Sequence, residues 1–230
     1  MADPRTINVF IASPGDLAVE RRAFKKLVSE LNAGFGEGAD VRFVPLGWED
    51  TYAVTGRRPQ SVINEEIDRC DVFILALYRR WGQKAPDARP YSSYVEEEFH
   101  RALNRSTRKH RSAKTRRSAK RRVPAVLVFF KKLSSSQLGR PGVELRKILA
   151  FRKSLDESRK VFHRSFADAV AFKAIVSRHL KAYAKGELPK PDPRREVILL
   201  PLEYIRQVKQ ARIKERKALE QAERNEQRAA

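Results

Sequence analysis

The 230-residue sequence predicts an α/β protein built on an open, mostly parallel sheet with helices on both faces. Three observations carry that prediction. Strand-like and helix-like segments alternate from residue 6 to about residue 184. The main strand-like runs are continuously apolar and rich in β-branched and aromatic residues, as strands buried on both faces are. The segments between them place apolar residues at helical spacing. The length suits one such domain plus an appendage and is too short for two large domains.

Residues 6–12 (TINVFIA) form the first run. The next segment, 14–35, sets Leu17, Phe24, Leu27, Val28 and Leu31 on one helical stripe. At its start Ser13 can cap the helix, Pro14 suits the first position, and Asp16 can reach back as in a capping box. Residues 41–48 (VRFVPLGW) are mixed and contain Pro45, which places that strand at an edge or a bulge. A helix over 59–69 carries Val62, Ile63 and Ile67 on one face, and 71–78 (DVFILALY) is the second buried strand. A helix over 94–103 buries Val95, Phe99, Ala102 and Leu103, and 123–130 (VPAVLVFF) is the third continuous run. Helices over 143–155 and 166–184 follow, separated by a short strand at 160–163. Gly186, Pro189, Pro191 and Pro193 then mark a boundary. The sequence thus divides into an α/β domain over 1–186 and, over 187–230, a Pro-rich linker and a C-terminal charged helix. The tail from 207 to 230 has too few apolar residues to fold alone.

The net charge is +21, and ten of the 49 Lys and Arg lie in 105–122, a segment with no acid and no apolar residue larger than Ala. Such a segment has nothing to bury and reads as a solvated insertion. It is either a solubilising loop or a nonspecific, salt-dependent contact for polyanions. No aromatic residue interleaves the basic ones, so there is no platform for stacking bases. Apolar runs reach about eight residues against the roughly 20 a membrane span requires. The N-terminus carries no secretory pattern, and the lone Cys70 excludes a disulfide framework or a cysteine-built metal site. A cytoplasmic protein with no membrane span and no metal is expected.

In an open α/β sheet, ligands bind beyond the carboxyl ends of the strands. There the sequence offers the Ser13 to Asp16 turn, a helix start with free N–H groups, then Trp48 and Glu49, then Arg79, Arg80, Trp81 and Gly82. Trp81 suits either a ring-stacking wall or a lid on the core. The helix over 94–103 carries Glu96, Glu97 and Glu98 in succession. At about 100° per residue, Glu96 and Glu98 fall on opposite borders of the buried stripe and Glu97 points to water. Glu96 and Glu98 are therefore expected to be partly desolvated carboxylates with raised basicity, and Glu97 a surface charge. A helix-cap role remains open for all three.

Taken in order, these segments resemble a known family. The series is Ile7-Asn8-Val9-Phe10-Ile11-Ala12-Ser13-Pro14-Gly15-Asp16-Leu17 with Glu20-Arg21-Arg22; Trp48-Glu49; Arg58-Pro59-Gln60 with Ile63-Asn64; Cys70-Asp71-Val72-Phe73-Ile74; and Ser93-Tyr94-Val95-Glu96-Glu97-Glu98-Phe99. It is similar to the TIR-like (Toll/interleukin-1 receptor-like) domains at the N-termini of bacterial STAND-type NTPases and repeat proteins, over about residues 6 to 104. The resemblance implies a flavodoxin-like sheet and either a self-assembling signalling module or an enzyme that cleaves NAD at the nicotinamide-ribose bond. In the enzymatic branch a Ser is followed five residues later by a catalytic Glu. That pattern maps onto Ser93 and Glu98, with Tyr94 where many such domains have Trp.

The resemblance therefore implies a defence or signalling effector with Glu98 catalytic, NAD as substrate and no further cofactor. Ser13, Asp16, Trp48, Trp81, Ser93 and Glu96 are the candidate substrate-binding residues. Activation would come from homo-oligomerisation or from a sensor partner joined through the C-terminal helix. Two other readings stand beside this one. The first is a noncatalytic interaction module, and the second is a glycosyl hydrolase or transferase acting on nucleosides.

Overall fold

The structure, a computed structural model, describes residues 3–47, 58–107, 124–189 and 199–229. Trp48, most of the basic insertion and most of the Pro-rich linker lie outside the described residues. Among the described residues five strands, β1 (Arg5–Ala12), β2 (Val41–Leu46), β3 (Val72–Leu77), β4 (Ala125–Lys131) and β5 (His163–Phe166), form one sheet in the order β2-β1-β3-β4-β5. Every neighbouring pair is parallel. This is the flavodoxin-like order, in which the chain goes from β1 to one side and then to the other, leaving a switch point between β1 and β3. The helices are α1 (Ala18–Leu31), α2 (Pro59–Arg69), α3 (Tyr94–Thr107), α4 (Ser135–Gly139), α5 (Val143–Ser158), α6 (Ala169–Lys185) and α7 (Leu202–Ala229).

The central strand explains the continuous apolar run. All six residues of β3 are buried, and the two-residue period of a strand sends alternate side chains to opposite layers. Val72, Ile74 and Ala76 join a core with Phe24 and Leu27 of α1 and Phe172 and Val176 of α6. Phe73, Leu75 and Leu77 join a second core with Ile67 of α2, Phe99 and Ala102 of α3 and Ile148 and Phe151 of α5. Phe73 stacks on Phe10 with ring centroids 5.7 Å apart. Truncating such a ring to Ala costs about 3–5 kcal/mol. Pro45 sits on β2, the edge strand, where its missing N–H disturbs no second ladder.

Several borders differ from those expected. The segment 14–35 is divided into a 3-10 turn (Gly15–Leu17), α1 and a π turn (Asn32–Gly36). The π turn is pinned to β2 by the Asn32 amide, which donates to Phe43 O and accepts from Phe43 N, both at 2.8 Å. A Cβ on Gly36 would lie 2.7 Å from Val41 O, so only glycine lets the two segments approach. The short strand lies at His163–Phe166 rather than 160–163, because α5 runs on to Ser158 before Arg159 ends it in the left-handed region (φ 51°). The following helix starts at Ala169, where Asp168 accepts from Ala171 N and caps it. Short α4, opened by a Ser134–Gln137 capping box, was not anticipated.

The C-terminal helix begins at Leu202, five residues before the expected start. Leu199 and Leu202 pack on the second core and Pro201 is buried, so the start of this helix is part of the domain's packing. Residues 206–221 are all exposed. Among the described residues no helix is long and apolar enough to cross a membrane.

Candidate functional site

The carboxyl edge of the sheet brings the first turns of α2 and α3 together beside the switch point. Ser93 is fully buried and its Oγ accepts from Glu96 N at 3.2 Å, which caps α3. Glu96, 1% exposed, reaches back: its Oε2 accepts from Ser92 N and from Ser92 Oγ, both at 2.7 Å. Its Oε1 accepts from Leu202 N at 2.7 Å. Both oxygens are thus engaged, and the expected substrate contact from Glu96 gives way to a structural one. The reciprocal Ser-Glu cap begins the helix and the N–H at the start of α7 completes the carboxylate's coordination.

Trp81 also departs from the stacking role. It is 1% exposed, and its indole lies 5.2 Å from the Phe151 ring while Nε1 donates to Ser92 Oγ at 2.8 Å. It closes the second core, the other of the two roles its place in the sequence allows. The adjoining Gly82 has φ 106°, and a Cβ there would meet Val95 Cγ2 at 2.9 Å. Glycine alone allows this loop to lie against α3.

Glu98 has a different environment. It is 7% exposed and among the described residues accepts one hydrogen bond, from Gln60 Nε2 at 3.0 Å. Burial pushes its carboxyl up from 4.5 to about 7; the Gln60 donor lowers it in part and the neighbouring Glu97 charge raises it. Both protonation states are therefore populated near neutral pH. Glu97, expected to be a surface charge, is instead held by α2. Arg58 Nη1 and Nη2 donate to its two oxygens at 3.2 and 3.0 Å, and Asn64 Nδ2 donates at 2.9 Å. The helical wheel of α3 alone cannot show this, because the side it assigns to water is covered by another helix.

Arg58 also pairs with Asp87, which accepts from Tyr94 OH at 2.8 Å. The hydrogen bonds that Arg58 donates to Glu97 and then to Asp87 hold the guanidinium above its ordinary range, and the Arg58 donor holds the Asp87 carboxyl below its own. Of the expected face of α2, Ile67 is buried and the half-buried Ile63 packs on the second core, and Gln60 and Asn64 are buried beside them. Gln60 and Asn64 were missed as site residues. The available signal was their spacing of four and seven residues with Ile67, which puts two amides on an apolar stripe. His100, 4% exposed, stacks on Tyr91 at 5.2 Å, and burial lowers it to about 4, so the ring is neutral.

The Ser13 to Asp16 turn is tied differently from a helix cap. The 3-10 turn delays α1 to Ala18, which removes both residues from capping positions. Ser13 Oγ accepts from Arg21 Nη1 at 3.1 Å. Asp16 Oδ2 accepts from Arg79 N and Arg80 N at 2.9 and 3.0 Å and so braces the loop that leads to Trp81. Asp16 Oδ1 and Asn64 Oδ1 are buried acceptors without a partner among the described residues. Trp48 lies outside them. Among the described residues no group of three or more His, Cys, Asp or Glu could hold a metal ion.

Chemically, a buried carboxylate with a single neutral donor and a titration near neutrality can take or give a proton and can stabilise a developing cation. A family model described as a domain of unknown function, DUF4062, matches residues 8–181. No curated protein is similar enough to match. Among solved structures the chain is similar to translation elongation factor SelB from Methanococcus maripaludis in complex with the GTP analogue GppNHp. The two are 11% identical, the likeness covers 82% of this chain and 36% of that one, and the TM-score is 0.39. So loose a likeness carries no function across.

Proposed function

The chain belongs to the DUF4062 family, and we propose that it is a TIR-like effector domain that hydrolyses NAD at the nicotinamide-ribose bond, with Glu98 as the catalytic carboxylate. The observation that carries this reading is the state of Glu98 itself: buried, bonded to one donor among the described residues and raised to about 7 beside the switch point of the sheet. Buried carboxylates with so few donors are costly, and sites of chemistry are where such a cost is retained.

The reaction needs little from the protein beyond that group. When the bond from ribose C1′ to the nicotinamide nitrogen breaks, the bonding pair returns to the pyridinium ring, so the leaving group departs neutral without a proton. Positive charge develops on C1′ and the ring oxygen, where an ionised Glu98 would stabilise it. Water then adds at C1′ to give ADP-ribose, and its proton passes to the carboxylate or to solvent. The Arg58–Glu97–Asn64 clamp supports Glu98 by fixing α2 against α3.

The test is nicotinamide release from NAD by the full chain, dilute and at assembly-promoting concentration, beside Glu98→Gln. Release by the wild type that falls at least about 100-fold in the variant supports the reading. Release indifferent to Glu98, or silence in the assembled protein, overturns it and leaves a noncatalytic assembly module. Turnover of free nucleosides in preference to NAD would place the chemistry with nucleoside-processing glycosyl hydrolases instead.

A further inference from the structure

The family match ends at residue 181, yet the chain's last helix starts inside the domain's packing. Its first residue, Leu202, donates its N–H to Glu96 Oε1 at 2.7 Å, and Leu199 and Leu202 pack on the core that holds α3 and α5. Glu96 in turn holds Ser92 through two hydrogen bonds, Ser92 holds the Trp81 indole, and Ser93 caps the same turn. Glu98 stands two residues further along. The rest of α7, from residue 206 to 221, is exposed and free to be grasped.

We propose that residues 199–202 are an intramolecular docking segment, seated on Glu96, through which an event at the exposed part of α7 loosens the first turn of α3 and so reaches Glu98. The physical basis is shared coordination. While the segment is seated, one buried carboxylate is bonded simultaneously to the start of α3 and the start of α7. When the segment leaves, Oε1 loses its donor, the cover of Leu199 and Leu202 goes with it, and water reaches the Ser92–Glu96 cap. Coupling of this kind is reciprocal, so a ligand that tightens the first turn of α3 also tightens the seat. The proposal deepens the reading of Glu98 as the working carboxylate and names the regulation of that site.

Leu202→Asp tests it without touching α3 or any residue placed in the site, because a carboxylate beside Glu96 repels it and cannot remain in the apolar seat. Leu219→Asp, on the exposed part of α7, is the control. In hydrogen exchange on the full chain, Leu202→Asp is expected to speed exchange of the amides from Ser92 to Glu98 about tenfold, the scale of one lost hydrogen bond to a carboxylate. The amides of β1 and β3 keep their protection, and Leu219→Asp changes nothing. Unchanged exchange over 92–98 in Leu202→Asp overturns the coupling, as does an equal effect from Leu219→Asp. Nicotinamide release is read on the same samples and is expected to rise several-fold in Leu202→Asp. Faster exchange with release unchanged or lowered overturns transmission to Glu98. Faster exchange with no release from any sample, wild type included, supports the loosening while the NAD reading alone falls.

Discussion

Glu96 and Glu98 stand two residues apart on one helix and both are shut away from solvent, yet they are opposite kinds of group. Glu96 is saturated: four hydrogen bonds tie it to Ser92, to the start of α7 and, through its own N–H, to Ser93. Among the described residues Glu98 has one donor, the Gln60 amide. Donors stabilise the ionised form and burial penalises it, so burial is decisive only where donors are scarce. The difference teaches that depth does not distinguish a structural carboxylate from a chemical one. On the proposed reading of Glu98, the number of donors does.

The sharpest way to break the comparison is activity. Glu98→Gln is expected to remove nicotinamide release by about 100-fold or more while the fold persists, and equal loss with a collapsed fold would put the two residues in one class. Next in size is the stability of Glu96→Leu. Removing that carboxylate strands Ser92 N and Leu202 N, at a cost of about 3 kcal/mol in urea unfolding. A loss below about 0.5 kcal/mol would show that its bonds are not holding the turn.

Stability against pH sharpens the contrast further. Glu98 is raised from 4.5 to about 7 on folding, so the stability tied to its protonated form is full below pH 4.5 and is lost as the pH rises through 7, a span worth roughly 3 kcal/mol. Glu98→Gln should therefore be more stable than the wild type at pH 8 and equal to it near pH 4, measured by thermal or urea unfolding. His100 acts in the other direction. It is lowered from 6.5 to about 4, so its contribution is full above 6.5 and is lost as the pH falls through 4. From pH 4.5 to 6.5 the two slopes nearly cancel in the wild type, and in Glu98→Gln the rising His100 slope should stand alone. A Glu98→Gln curve parallel to the wild type would contradict the raised carboxyl.

A smaller effect is expected at Gln60. Gln60→Leu removes the one donor among the described residues and should move the pH midpoint of activity upward from 7 by about one unit, the worth of one hydrogen bond to a charged group. A midpoint that stays in place would mean that Gln60 does not set the charge of Glu98. The smallest effect belongs to Arg58→Ala. That side chain is about a third exposed, and its loss should cost about 1 kcal/mol or less, because solvent screens its pairs with Glu97 and Asp87.

The frame of these arguments was legible before any coordinates. Continuous apolar runs report a strand covered on both sides, which is why 6–12, 71–78 and 123–130 became β1, β3 and β4, and Pro45 pointed to an edge. The period of α3 likewise placed Glu96 and Glu98 toward the core. These are local properties: spacing along a strand or helix states which side turns away from water. Which group waits on that side is not local. Gln60 meets Glu98 across 38 residues and Leu202 meets Glu96 across 106. The covering of Glu97 by α2, the enclosure of Trp81 and the seat of α7 are further contacts between segments. The sequence by itself determined that two carboxylates would be buried. Only the tertiary structure decided that one would be satisfied and the other left nearly alone, because the free energy of a buried charge depends on the donors that distant parts of the chain bring to it.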